Sequence, residues 1–368
     1  MALPRDHQPS LFGDSPADRA MDRVPPAPVH PDAAALARQL GPRVRLGTSS
    51  WSFPGWRGMV FSAKAPASEL ASHGLAAYAQ QPLHRTVGLD RCFYETPSVE
   101  TLRALAEQVP ADFRFLVKAH QACTRPNLGA DGTTLGSVAA ARVSGGRNPR
   151  FLDGAWAADA VVGPLMEGLG DRCGPILFQF PALSFGAREI VPHESALADG
   201  LHAFLRALPR GPLYAVEFRN DALLRGPVVG ALAAALRDHG ARPAIGVIPS
   251  MPGPARAAQV WREAGWDPCQ GTLVLRWLLG HGLGYDEARR VYEPFDRLAA
   301  PDPGIRSETA VLVAACVAAG GQAFVVINNK AEGSAPRSIP PLAESILAVA
   351  AKTPGPDRTT PCESTSRP

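Results

Sequence analysis

The stretch PLYAVEFRN, Pro212–Asn220, governs how the rest of the chain is read. Leu213, Tyr214, Ala215, Val216 and Phe218 form a short apolar run with Pro212 before it and Asn220–Asp221 after it. Such a run predicts a strand buried on both faces, as in a parallel sheet covered by helices. Glu217 and Arg219 interrupt it near its C-terminal end, and the two-residue side-chain period puts both on one face with Ala215. Burying a carboxylate and a guanidinium costs several kcal/mol each unless they pair or meet a ligand. In a closed parallel barrel the C-terminal ends of the strands are where sites are built.

Seven similar runs lie on either side of this one. They are Val44–Ser50, Arg85–Arg91, Phe113–Ala119 and Pro175–Pro181 before it, and Pro243–Pro249, Thr272–Leu278 and Ala323–Asn329 after it. Helical periodicity follows most of them, over Ser98–Gln108, Ala155–Gly168, Glu194–Leu208, Val228–His239, Ser307–Ala319 and Pro340–Ala351. Ser98 with Thr101 after Pro97 reads as a helix start, and Gly240 after His239 as a stop. Eight strand–helix units in order predict a (β/α)8 TIM barrel. The competing architecture is a doubly wound open sheet, for which no GxGxxG turn follows the first strand.

Residues 1–40 are rich in Pro, Asp, Arg and Ala, and read as a flexible arm with one short helix over Asp32–Leu40. Residues 41–352 read as the single barrel domain, and residues 353–368 as a polar tail. About thirty residues with little periodicity, Cys123–Gly154, separate the third strand from its helix. A loop that long on the strand-exit face reads as a lid.

Hydrophobic residues make up 46% of the 368 and charged ones 19%, enough for a large core. The net charge of +3, without a basic run, argues for neither nucleic acid nor a membrane as partner. Six scattered cysteines without a CxxC pair suggest neither zinc nor disulfides, and with no signal-peptide pattern the expectation is a cytoplasmic protein.

Several motifs resemble the YecE-like family, catalogued as domain of unknown function 72. They are GTSSWSFPGW (Gly47–Trp56), the run Cys92–Thr124, GPILFQFP (Gly174–Pro181), YAVEFRN (Tyr214–Asn220) and VVINNKAEGSAP (Val325–Pro336), spread over about residues 43–350. The resemblance implies a TIM barrel and carries over no established reaction. The chain departs from the family pattern in three places. Gly88 and Asp90 stand at the acidic and amide positions of the second strand, Asn220 replaces a His, and Lys330 replaces an Asp.

The polar residues at the expected strand exits form one set. Thr48 and Trp51 follow strand one, Asp90 and Tyr94 strand two, Lys118 and His120 strand three, and Gln179 strand four. Glu217 and Arg219 end strand five, Arg276 strand seven, and Asn328, Asn329 and Lys330 strand eight. Several cations around one or two carboxylates predict a mouth that attracts an anion; the bland alternative is an internal ion network filling the barrel. Glu217 is the candidate general acid or base, with Lys118 a point charge or, if desolvated, a Schiff-base amine. The arginines suit a bidentate grip on carboxylate or phosphate. NNKAEGSAP offers small residues and backbone N–H groups where barrels bind phosphate, or is simply a loop leading to the last helix. Trp51, Phe53 and Trp56 either stack on a sugar or pack a loop on the rim. No HExxH supports a metal site among His120, Glu217, Asp90 and His281, and no cofactor is expected. The leading expectation is an acid–base hydrolase, lyase or isomerase for a small anionic or polyhydroxylated ligand. A non-catalytic ligand-binding or regulatory barrel is the second, and a metal-dependent phosphodiesterase or nuclease the third.

Overall fold

Alternation along each apolar run has its consequence in the computed structural model, which describes residues 16–128, 146–187, 189–280 and 282–352. Eight parallel strands close into a ring in sequence order, β1 bonding back to β8. They are β1 (Val44–Thr48), β2 (Thr86–Leu89), β3 (Arg114–Lys118), β4 (Cys173–Gln179), β5 (Tyr214–Glu217), β6 (Arg242–Val247), β7 (Thr272–Trp277) and β8 (Gln322–Ile327). The fold is the (β/α)8 barrel, and closure rules out the open sheet.

Helices α1 (Pro16–Arg23) and α2 (Pro31–Leu40) precede the barrel. Around it run α3 (Ala67–Ala79), α4 (Val99–Ala106), α5 (Gly154–Ala157), α6 (Gly163–Leu169), α7 (Glu194–Ala207), α8 (Gly226–Asp238) and α9 (Pro254–Glu263). The last are α10 (Tyr285–Tyr292), α11 (Pro303–Ala318), α12 (Asn329–Glu332) and α13 (Ala335–Lys352). The Ser98 hydroxyl caps α4 by accepting from the Thr101 N–H. α8 stops at Asp238, and Gly240 supplies the left-handed turn at φ +67° that a side chain would strain.

The stretch read as an arm is packed from α1 onward. Ala20, Val24, Ala27 and Leu40 are buried, and Val24, Ala37 and Leu40 join the main core. Its Pro-rich composition stiffens the chain between two helices and does not leave it free. Residues 1–15, the tail 353–368 and most of the stretch read as a lid (129–145) lie outside the described residues. The flanks of that stretch are tied down: Asn148 is buried and its amide donates to the Ala122 and Arg125 carbonyls.

Side chains on the outer strand face pack under the helices in one large cluster. Those on the inner face make a second, smaller one: Leu116, Leu177, Ala215, Ala244, Val274, Phe324 and Val326. This apolar layer is the floor on which the next inward residues stand, one pleat closer to the strand exits. By strand parity those residues are Lys118, Gln179, Glu217 and Arg276.

Candidate active site at the strand exits

Glu217 is 1% exposed and Arg276 2%, with the apolar layer beneath both. Each carboxylate oxygen of Glu217 takes one guanidinium. Arg219 Nε donates to Oε1 at 2.9 Å and Arg276 Nη1 to Oε2 at 2.9 Å. Gln179 Oε1 accepts from both arginines, from Arg219 Nη2 at 2.8 Å and Arg276 Nη1 at 3.1 Å. Arg276 Nη2 reaches across the barrel to Asp90, 3.3 and 3.4 Å from its two oxygens. Gly246 on β6 makes this possible, because a Cβ there would stand 3.0 Å from Glu217 Cδ.

Burial on its own would raise the Glu217 pKa. The Arg276 and Arg219 charges and their hydrogen bonds overcome it and hold the carboxyl at about 2. Arg276 is kept charged against its own burial by Glu217 and then Asp90. Glu217 is therefore a fixed anion near neutrality and takes up no proton there.

Lys118 differs from the arginines. It is half-buried, and among the described residues its amine has no hydrogen-bond or ion-pair partner. Nζ lies 3.5 Å from the centroid of the Phe93 ring. Burial brings its pKa down to about 7; Asp90 opposes that shift, and Arg276 and Arg219 add to it. Asp90, 37% exposed, and Arg219, 27% exposed, are, with half-buried Lys118, the members of the cluster open to water.

His120 sits beside this cluster in a structural role. The Ala122 N–H donates to its Nδ1, so Nε2 carries the proton and donates to the Tyr94 carbonyl at 3.0 Å. Burial lowers its pKa and keeps the ring neutral. The bond ties the loop after β2 to the loop after β3. The Tyr94 ring points out to water, 65% exposed.

Other residues expected at the mouth lie elsewhere. Thr48 is on the outer face of β1, where its N–H donates to the Tyr78 hydroxyl of α3 at 3.0 Å. Its parity matches Val44 and Leu46, not Gly47. Trp51 and Trp56 are buried in the core, and Phe53 packs on Trp56 and Phe295 at 5.0 and 5.4 Å. These aromatics hold the loop after β1 and offer no stacking platform.

Asn328 and Asn329 act as caps. Asn328 Oδ1 accepts from the Lys330 N–H at 3.0 Å, and Asn329 Oδ1 from the Ala335 N–H at 2.9 Å. The backbone N–H groups of Lys330, Ala331, Gly333 and Ala335 are thus used within the segment. Glu332, fully buried in the same corner, pairs with Arg306, so the corner carries no unpaired positive charge from that arginine. Lys330 points at the Tyr285 ring, 4.0 Å from its centroid, and not at the Glu217 cluster.

Among the described residues no three His, Cys, Asp or Glu side chains gather as a metal-ligating group, and His281 lies outside them. Phe93 and Gly246 were not singled out from the sequence. A glycine one residue before a strand's end, opposite a glutamate, is a signal only once the register is known.

A family model described as a protein of unknown function, DUF72, matches residues 45–361. A DUF72 family protein from Enterococcus faecalis V583 has a solved structure that is 16% identical with a TM-score of 0.52. The match covers 86% of this chain and 100% of that one. Another DUF72 family protein, from Thermotoga maritima MSB8, is 19% identical with a TM-score of 0.47 over 84% of this chain and 98% of that one. A methyltransferase from Methanosarcina mazei is 11% identical, with a TM-score of 0.39 over 87% and 97%. A comparison with curated proteins finds no match. At 16% identity the Enterococcus faecalis structure speaks for the barrel alone. The family model spans nearly the whole barrel, from within β1 to beyond α13, and so the chain belongs to the DUF72 family of proteins of unknown function.

Proposed function

We propose that the barrel mouth binds a small organic anion and that Lys118, not Glu217, exchanges protons with it, in a hydrolase, lyase or isomerase reaction. The observation that carries this reading is an amine with no partner among the described residues, beside a cluster whose other charges are paired off. With Lys118 neutral, Arg219 and Arg276 are matched by Glu217 and Asp90. With Lys118 protonated, the mouth carries one charge in excess. An anion entering the mouth therefore favours the protonated amine, and binding and proton uptake are coupled. Arg219 supplies the grip: two of its nitrogens are used by Glu217 and Gln179, and part of its side chain faces water.

The test is calorimetric titration of the full chain with inorganic sulfate, phosphate and small dicarboxylates. Binding of at least one anion is expected, weakened about tenfold, or ~1.4 kcal/mol, in Arg219→Ala. The reading fails if none of these anions binds, or if Arg219→Ala binds as the wild type does.

A further inference from the structure

Lysine is scarce in this chain: of 37 basic residues only Lys64, Lys118, Lys330 and Lys352 are lysine, the rest being arginine. A chain that meets nearly every need for a cation with arginine keeps an amine at the innermost rim of the barrel. Arginine stays protonated and is no nucleophile, whereas a desolvated lysine can lose its proton and attack carbon.

The surroundings of Lys118 suit such an attack. Its stem stands on the inner face of β3 above Leu116, and the Phe93 ring covers one side of Nζ at 3.5 Å. No acceptor among the described residues holds its N–H groups, unlike those of Arg219 and Arg276. Burial and the two guanidiniums bring the amine down to about 7, so that even with an acid group on Arg219, which favours the charged form, a fraction is neutral and able to attack. Asp90 is the one carboxylate of the cluster partly open to water, and its bonds to Arg276 are the longest in it. Its charge acts on the amine without touching it, so protons pass between amine, Asp90 and solvent through water. Arg219, on the water side, is available to an acid group on the same small molecule.

We infer that Lys118 forms an imine with a small aldehyde or ketone that carries a carboxylate or phosphate group, the acid group resting on Arg219. This deepens the reading of the mouth as an anion site and rests on it. The lone pair of the neutral amine adds to the carbonyl carbon and the C–N bond forms. The carbonyl π pair moves to oxygen, which takes a proton from solvent, while nitrogen passes one N–H proton through water to Asp90. Asp90 returns that proton to the hydroxyl, the C–O bond breaks and water leaves. The nitrogen lone pair then closes the C=N bond, and the remaining N–H stays on nitrogen. Amine, carbonyl and one proton become a cationic imine and water, with no oxidant or reductant.

The experiment is reductive trapping on the full chain at neutral pH. Sodium cyanoborohydride is added with pyruvate, glyceraldehyde 3-phosphate or, as an uncharged control, acetone, and adducts are mapped by peptide mass spectrometry. Expected is labelling at Lys118 at least tenfold faster than at Lys64, Lys330 or Lys352 with one of the two acidic probes. It should be absent in Lys118→Arg, which keeps a cation over Phe93, and about tenfold slower in Arg219→Ala. Pyruvate and glyceraldehyde 3-phosphate separate a carboxylate from a phosphate as the acid group. Labelling of Lys118 no faster than the other lysines overturns the imine, and if sulfate still binds by calorimetry the anion site survives it. Equal labelling by acetone overturns the role of the acid group. The absence of both labelling and anion binding overturns both readings.

Discussion

At Glu217 both carboxylate oxygens are occupied by guanidinium groups and the side chain is out of water. Removing such a partner leaves Arg276 buried with half its neutralising charge, and breaking a buried pair typically costs about 3–5 kcal/mol. Glu217→Ala should therefore lower the unfolding free energy from urea denaturation by an amount in that range, and an unmoved midpoint would show that the network holds nothing together. From the sequence, Glu217 reads as the acid–base group because a carboxylate at a strand exit is conspicuous. How many cations surround it cannot be seen along the chain, and that number turns a tunable acid into a fixed anion. At Lys118 the same neighbours act in the opposite direction. Sulfate keeps its charge across the neutral range, so its affinity should fall as pH rises through about 7, where Lys118 loses its proton. Titrations at pH 6 and pH 8 would show this, and the difference should vanish in Lys118→Met.

The corner joining β8 to α13 shows what one element asks of its residues. α13 begins at Ala335, five residues before the expected Pro340, although Pro340 and Pro341 inside it remove two backbone donors. The earlier start is anchored by Asn329, whose Oδ1 accepts from the Ala335 N–H, and by burial of Ala335, Pro336 and Ile339. Loss of a helix cap costs about 1 kcal/mol. Asn329→Ala should lower unfolding free energy by roughly that much and leave sulfate affinity unchanged, whereas a fall in affinity alone would return Asn329 to the binding site. Periodicity in the sequence marks the body of α13 well, since Leu342, Ala343 and Ile346 face the core. Its start escapes the pattern because the cap comes from six residues upstream.

Across the whole molecule, a titrating group far from the mouth is His84, fully enclosed and stacked on Tyr78 with centroids 4.4 Å apart. Burial lowers its pKa from 6.5 to about 4. Between those values the unfolded chain binds a proton that the folded chain refuses, so stability falls as pH drops from 6.5 towards 4. Glu217, held at about 2 against an ordinary 4.5, adds a further loss between 4.5 and 2. Unfolding free energies measured at pH 6.5 and 4.5 should differ, and His84→Phe, which keeps the stacking surface, should reduce that difference. An unchanged difference would assign the acid sensitivity elsewhere. The eight-stranded ring could be read from residue order because its causes are local: two-residue alternation sets each inward face, and short runs parted by helical segments set the parallel order. The same parity places Lys118, Gln179, Glu217 and Arg276 on one layer. Thr48 shows the limit, since one residue of phase at the end of β1 turns it to the outer face and Tyr78. Which charges neutralise one another came only from folding. Arg276 and Asp90 lie 186 positions apart and meet at 3.3 Å, and Coulomb attraction in a low-dielectric interior depends on that distance and on the water excluded around it.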